Sequence, residues 1–258
     1  GVEQAKSMFR VLMALPYEYP NKKVVIINTD DSWGVEVGDT LAKNFSDTGW
    51  KVAKRETVPY GTNEWGAILT RIRRIKPSLI HIEIPSAQEN ITFFQQFIKK
   101  PTNSIISLGW GITPREVVEI LGKSADGIVG EMPTGLPGPV APNAEGQAWI
   151  DKYVGLYKHQ IPAGSWATYT GVMAWANAVK AVGDAYDFKA VNKYLQENGY
   201  EGHQGLIKWD KDNVLRAQPA APVVHYQVQN GELAAIFTDP PTKAYKDSKF
   251  IVPRWIKK

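Results

Sequence analysis

Along residues 1–135 the apolar positions switch between two periods. Residues 24–28 read VVIIN, an unbroken β-branched run of the kind a strand buried on both faces requires. In residues 35–46, Val35, Leu41, Ala42 and Phe45 recur at helical spacing, and Gly49 closes the segment. Residues 52–58 read as a strand. Residues 65–75 read as a helix with Trp65, Ile68, Leu69, Ile72 and Ile75 on its apolar face, ended by Pro77. Residues 79–84 are the next strand. Ser86 opens a helix through a Ser86–Glu89 capping box, with Phe93, Phe94 and Phe97 facing inward. A strand at 105–108, a short helix from Thr113 to Leu121 and a strand at 128–132 complete the series. Strands alternating with helices at this spacing predict βαβ units and a parallel sheet, an α/β fold.

The pattern breaks at residues 133–142 (PTGLPGPVAP), where four prolines and two glycines predict a linker. Helices are expected at 143–159, 169–184 and 187–198. Residues 223–237 read as a hairpin turned at Asn230-Gly231. The tail from Thr238, with three prolines, is expected to be extended. The predicted division is therefore 1–135, a linker at 136–142, 143–222, and 223–258.

Charge changes this picture little. Thirty basic and 26 acidic residues leave a formal +4. The densest basic group, Arg71, Arg73, Arg74 and Lys76, reads as a solvated helix face, so no nucleic-acid partner is expected. The chain has no cysteine, which removes disulfides and thiolate metal sites. No stretch approaches the roughly 20 apolar residues of a membrane span. No signal peptide is visible, which leaves a cytosolic, processed or trimmed chain. None of the GxGxxG, P-loop, GxSxG or HExxH signatures occurs, so neither a catalytic centre nor a cofactor is expected. His81 and Glu83 share one face of a strand and read as a polar pair rather than a metal site. Asp30 and Asp31 follow the first strand and read as helix caps; an α/β enzyme using this loop is the less favoured alternative.

Position points to binding instead. In an open parallel sheet, ligands lie beyond the carboxyl ends of the strands. Three such loops carry unusual residues: Asp31, Ser32 and Trp33; Pro85 and Ser86; and Trp110 between Gly109 and Gly111. Glycine permits close approach, and an indole offers a flat apolar wall. These residues are the candidate ligand contacts. Ser86 and Thr113, as helix caps, place backbone amides where an anion is favoured.

The segment TYTGVMAWANAVKAVGDAYDFKAVNKYLQENGYEGHQGLIKWDKDN resembles the C-terminal half of the type I periplasmic solute-binding proteins, the branched-chain amino acid receptors of ABC importers. The resemblance is carried by Tyr169, the small-residue helix 174–182, Gly183, 191–195, Gly202, Gly205, Ile207, Trp209 and Asp210. KKVVIINTDDSWGVEVGDTLAKNF is similar to the start of that family's second lobe, and PSLIHIEIPSAQENITFFQQF to a strand and helix further along. The resemblance implies a two-lobed receptor without chemistry of its own, an extracytoplasmic location, a small-molecule solute and a membrane permease as partner. A ligand-sensing regulatory domain of the same fold is the alternative. It also implies that Trp33 and the loop of Pro85 and Ser86 face the solute. At Trp110 family members often carry a carboxylate that pairs with the ligand's ammonium group. An aromatic there favours an apolar or aromatic solute, since a buried ammonium needs a charged partner. Finally, the family's first lobe begins with a segment of roughly a hundred residues that has no counterpart before Gly1. Residues 1–16 resemble the helix that opens the second lobe. The helices within 143–198 are then expected to expose apolar faces, including Met173, Ala174, Ala176, Ala178, Val179, Val182, Val191, Tyr194 and Leu195, for a missing segment or another protomer to cover.

Overall fold

The computed structural model describes residues 1–112, 115–132, 143–158, 161, 165–203, 205–211, 223–239 and 249–257. Thr113, with the proposed cap of the short helix, and the linker at 133–142 lie outside the described residues. The described chain forms two compact units: Gly1–Met132 with His225–Asp239 and the C-terminal segment, and the residues between them.

The first unit is organised by a seven-stranded sheet. Its strands are β1 (Lys23–Thr29), β2 (Lys51–Val58), β3 (Leu79–Glu83), β4 (Ile105–Ser107), β5 (Val129–Met132), β8 (Val223–Gln229) and β9 (Glu232–Asp239), in the order β2-β1-β3-β4-β5-β8-β9. The pairs from β2 through β5 are parallel. Five helices accompany them: α1 (Val2–Ala14), α2 (Ser32–Asp47), α3 (Gly66–Ile75), α4 (Ala87–Phe97) and α5 (Arg115–Leu121).

The VVIIN run becomes a central strand, with Val24 through Ile27 fully buried. Its odd-numbered residues and Ile80 and Ile82 pack against Ile68 and Leu69 of α3 and Phe93, Phe94 and Phe97 of α4. Val24, Ile26, Leu79 and Ile105 pack on the other face against Met8 and Leu12 of α1 and Val37, Leu41 and Phe45 of α2. Helices on both faces are what allows a parallel sheet to be apolar on both sides.

Three details differ from the sequence reading. Ser86 sits at the N-cap of α4 but makes no cap bond to the backbone; its hydroxyl donates to the Glu89 carboxylate. The hairpin turns at Asn230 (φ 56°) and Gly231 (φ 80°), as expected, but it extends the first unit's sheet beside β5. His225 and Gln227 are consequently buried together with Val224, Tyr226 and Val228. The end of the tail is anchored in the core: the Trp255 ring sits 5.3 Å from Phe94 and 6.0 Å from Phe97, and its indole N–H donates to the Ser104 carbonyl at 2.9 Å.

The second unit contains α6 (Ala144–Tyr157), α7 (Ser165–Val182), α8 (Phe188–Asn198) and an antiparallel pair, β6 (Tyr200–Gly202) with β7 (Gly205–Ile207). Asn143 caps α6 through Gly146 N (2.7 Å), and Asp187 caps α8 through Ala190 N (3.0 Å). Helix α7 starts four residues earlier than its periodicity indicated, because Trp166 and Thr170 join Ala174 and Ala178 on one buried stripe. His203 sits among Trp149, Trp166 and Tyr169, with ring centroids 5.2, 4.4 and 4.9 Å away. The expectation of a bare apolar face is corrected in part: Ala174, Ala178 and Val191 are buried within the unit. Val172, Met173, Trp175, Leu156 and Tyr157 remain exposed.

Candidate ligand-binding site

The loops after β1, β3 and β4 stand at the carboxyl edge of the first unit's sheet. In the first loop Asp31 caps α2, its carboxylate accepting from Gly34 N at 2.9 Å. Polar neighbours, Thr29 first and the Gly34 amide next, hold that carboxyl below the ordinary aspartate range despite partial burial. Burial, followed by the neighbouring Asp31, pushes the Tyr60 phenol up. Asp31 therefore has the capping role assigned to it, and α2 begins at Ser32, a turn earlier than its apolar spacing indicated. Gly34 is required here, because a Cβ would lie 2.3 Å from Thr29 Oγ1 and 2.7 Å from the Thr29 carbonyl oxygen. Trp33 is thereby fixed on the first turn of α2, half-buried, while Ser32 is exposed.

In the second loop Pro85 and Ser86 are half-buried. The fully buried Asn90 of α4 donates its amide to the carbonyls of Ile84 (2.7 Å) and Ser86 (2.6 Å), spanning the loop from beneath. Burial raises the Glu89 carboxyl, but hydrogen bonds from Ser86 and from Gly61 N (2.8 Å) outweigh it and hold the group below its usual range.

The third loop is a 3-10 turn at Gly109–Ile112. A Cβ on Gly109 (φ 43°) would lie 2.3 Å from Glu83 Oε2, and one on Gly111 would lie 2.3 Å from Asn90 Nδ2. Trp110 thus sits between two glycines pressed onto buried polar side chains. Its indole lies 5.4 Å from that of Trp33, with the planes tilted by 39°. The structure brings Trp33 and Trp110 together as one aromatic surface; neither is a fully buried core residue.

Beneath the loops, between the sheet and α1, lies a polar layer that sequence reasoning largely missed. His81 bonds Glu83 Oε2 through Nε2 (3.0 Å) and Ser107 Oγ through Nδ1 (3.0 Å). Gln4 of α1 donates to Glu83 Oε1 at 3.4 Å. His225 pairs with Ser7 Oγ at 3.0 Å and stands 3.7 Å from Glu131. Burial, then repulsion from Glu83, drives the Glu131 carboxyl well above its ordinary range. Burial pushes His225 down to about 3. The signal was the period-two row Leu79, His81, Glu83, which puts both polar residues on one face of a strand. Among the described residues no group of three or more His, Cys, Asp or Glu side chains is arranged to hold a metal ion. Also among them, no helix is long and apolar enough to cross a membrane.

The two indoles form a paired aromatic surface at the carboxyl edge of a mostly parallel sheet, the edge where open α/β sheets take ligands. Residues 2–232 match the model of the periplasmic binding protein family, and the chain belongs to that family. It is 20% identical over 200 residues to the leucine-, isoleucine-, valine-, threonine- and alanine-binding protein of Pseudomonas aeruginosa, covering 77% of this chain and 52% of that one. Its fold is similar to that of a leucine-binding protein from Thermotoga maritima, with a TM-score of 0.76, 18% identity, and coverage of 91% of this chain and 65% of the other. It is also similar to a solute-binding protein from R. palustris solved in complex with benzoate, with a TM-score of 0.75, 18% identity and coverage of 97% and 65%. The chain spans about half to two thirds of the length of these relatives. All three bear the names of binding proteins.

Proposed function

We propose that the protein is the extracytoplasmic solute-binding component of an ABC importer, delivering to a membrane permease a small organic solute with an apolar or aromatic body and no free α-ammonium group. Trp33, Trp110, Pro85 and Ser86 contact the solute, with Asp31 and Ser32 at the rim. The observation that carries this reading is the Trp33–Trp110 pair, 5.4 Å apart, set over a carboxyl that is already engaged. Glu83 is the acid that the Trp110 amide contacts, and it is buried, with His81, Gln4 and that amide on its oxygens. An incoming ammonium group would have to displace those partners at a cost of several kcal/mol. The benzoate bound by the R. palustris relative has the chemistry this surface suits.

In this reading the first unit is the second lobe of the receptor, and α6 to α8 belong to its first lobe. A preceding segment of the first lobe, or another protomer, covers the exposed side chains of α6 and α7. Calorimetry on the protein expressed from its full gene tests the solute class. Benzoate and related aromatic acids should bind, and leucine and isoleucine should not. Binding of leucine with no response to aromatic acids would refute it.

A further inference from the structure

We propose that Glu83, held by His81 and Ser107, is the positioning residue that sets the pose of Trp110. The consequence for solute affinity rests on the binding role proposed above; the positioning itself does not.

The geometry is specific. Ser107 on β4, His81 on β3 and Glu83 on β3 form one hydrogen-bonded row across two neighbouring strands, with steps of 3.0 and 3.0 Å. All three are essentially inaccessible to solvent. The row ends at the turn: Glu83 Oε1 accepts from the Trp110 backbone amide at 3.4 Å. Glu83 Oε2 occupies the space that a Gly109 Cβ would need. The carboxyl therefore both receives the turn and excludes any side chain at Gly109. A buried carboxyl with so many contacts is costly to hold in place, and among its described partners the Trp110 turn is the half-exposed one. No part of it faces solvent, so it acts through Trp110 rather than on a solute. His81 and Ser107 fix which way the carboxyl points, as an orienting partner fixes a functional group in any preorganised site.

The test uses 5-fluorotryptophan-labelled protein and 19F NMR, with the Trp110 and Trp33 signals assigned by their loss in W110F and W33F. Glu83→Leu should shift and broaden the Trp110 signal and disturb Trp33 while leaving the distant Trp255 signal in place. Glu83→Gln, which keeps an acceptor for the amide, should restore the Trp110 signal toward wild type. If Glu83→Leu fails to fold, Ser107→Ala, which removes only the far anchor, should move the same Trp110 signal by a smaller amount. In the protein from its full gene, Glu83→Leu should weaken benzoate binding about tenfold, with Glu83→Gln recovering most of it. A Trp110 signal unchanged in Glu83→Leu and in Ser107→Ala overturns the positioning role. So does a uniform shift of every tryptophan, which would mark a general packing loss. If Trp110 moves as expected but wild type ignores benzoate, the positioning stands and the aromatic-solute reading fails.

Discussion

Trp110 and Trp33 make the solute class testable one side chain at a time. A stacked aromatic pair contributes about 0.5–1.5 kcal/mol beyond area burial. Trp110→Ala should therefore raise the Kd for an aromatic acid by about two- to tenfold, and titration calorimetry reads this directly. An unchanged Kd would remove Trp110 from the contact surface. The polar layer beneath makes a different prediction, in pH. Burial and Glu83 raise the Glu131 carboxyl above its unfolded value of 4.5. Between that value and the folded one, the unfolded chain has released its proton and the folded chain has not. Stability from this group is full below pH 4.5 and falls as pH rises through the folded value. Glu131→Gln removes the loss, so the variant should gain on wild type steadily above pH 4.5 in urea melts. His225 acts in the opposite sense. Its folded value near 3 lies below the unfolded 6.5, so its contribution is full above pH 6.5 and declines on acidification. A pH-independent gap between Glu131→Gln and wild type would show that the carboxyl is not held protonated.

At the scale of elements, caps and the tail carry the predictions. Asp31→Ala removes the bond to Gly34 N at the start of α2. It should cost about 1 kcal/mol, the usual magnitude for an N-cap, lowering the melting temperature by a few degrees. No change would mean that neighbouring polar groups replace the cap. Trp255→Ala should cost more, about 3–5 kcal/mol, because it empties a core position between Phe94 and Phe97 and strands the Ser104 carbonyl. Chemical denaturation of the variant checks it; a loss below 1 kcal/mol would mean that the tail is dispensable to the core. The alternating strands and helices of the first 132 residues were legible because period, caps and breakers are local signals. Asp31 as a cap and Asn230-Gly231 as a turn are of this kind. The Ser86–Glu89 box was legible as a pair but not in its geometry, because the Ser86 hydroxyl turns to the carboxylate instead of the backbone.

For the whole molecule the decisive feature is the apolar surface of the second unit. Val172, Trp175, Leu156 and Tyr157 are 58%, 47%, 65% and 58% exposed, large apolar side chains of the kind that interfaces cover. On the reading proposed above, in which further first-lobe structure or another protomer covers these side chains, the chain alone should self-associate in light scattering and bind aromatic solutes weakly. A monodisperse monomer with micromolar affinity for an aromatic acid would contradict that. The sequence by itself determined the order and kind of the elements and the double-sided burial of β1. It also placed Trp33, Pro85, Ser86 and Trp110 just beyond the carboxyl ends of β1, β3 and β4, which lie side by side in the sheet. All of these follow from spacing within a few residues. The tertiary structure alone decided that β8 lies beside β5, that Trp255 closes the core against Ser104, 151 residues away in sequence, and that Glu83 meets the Trp110 amide 27 residues on. Those pairings depend on which strands become neighbours and how closely glycine backbones approach buried carboxyls. No local periodicity encodes that, because the partners meet only once the sheet has formed.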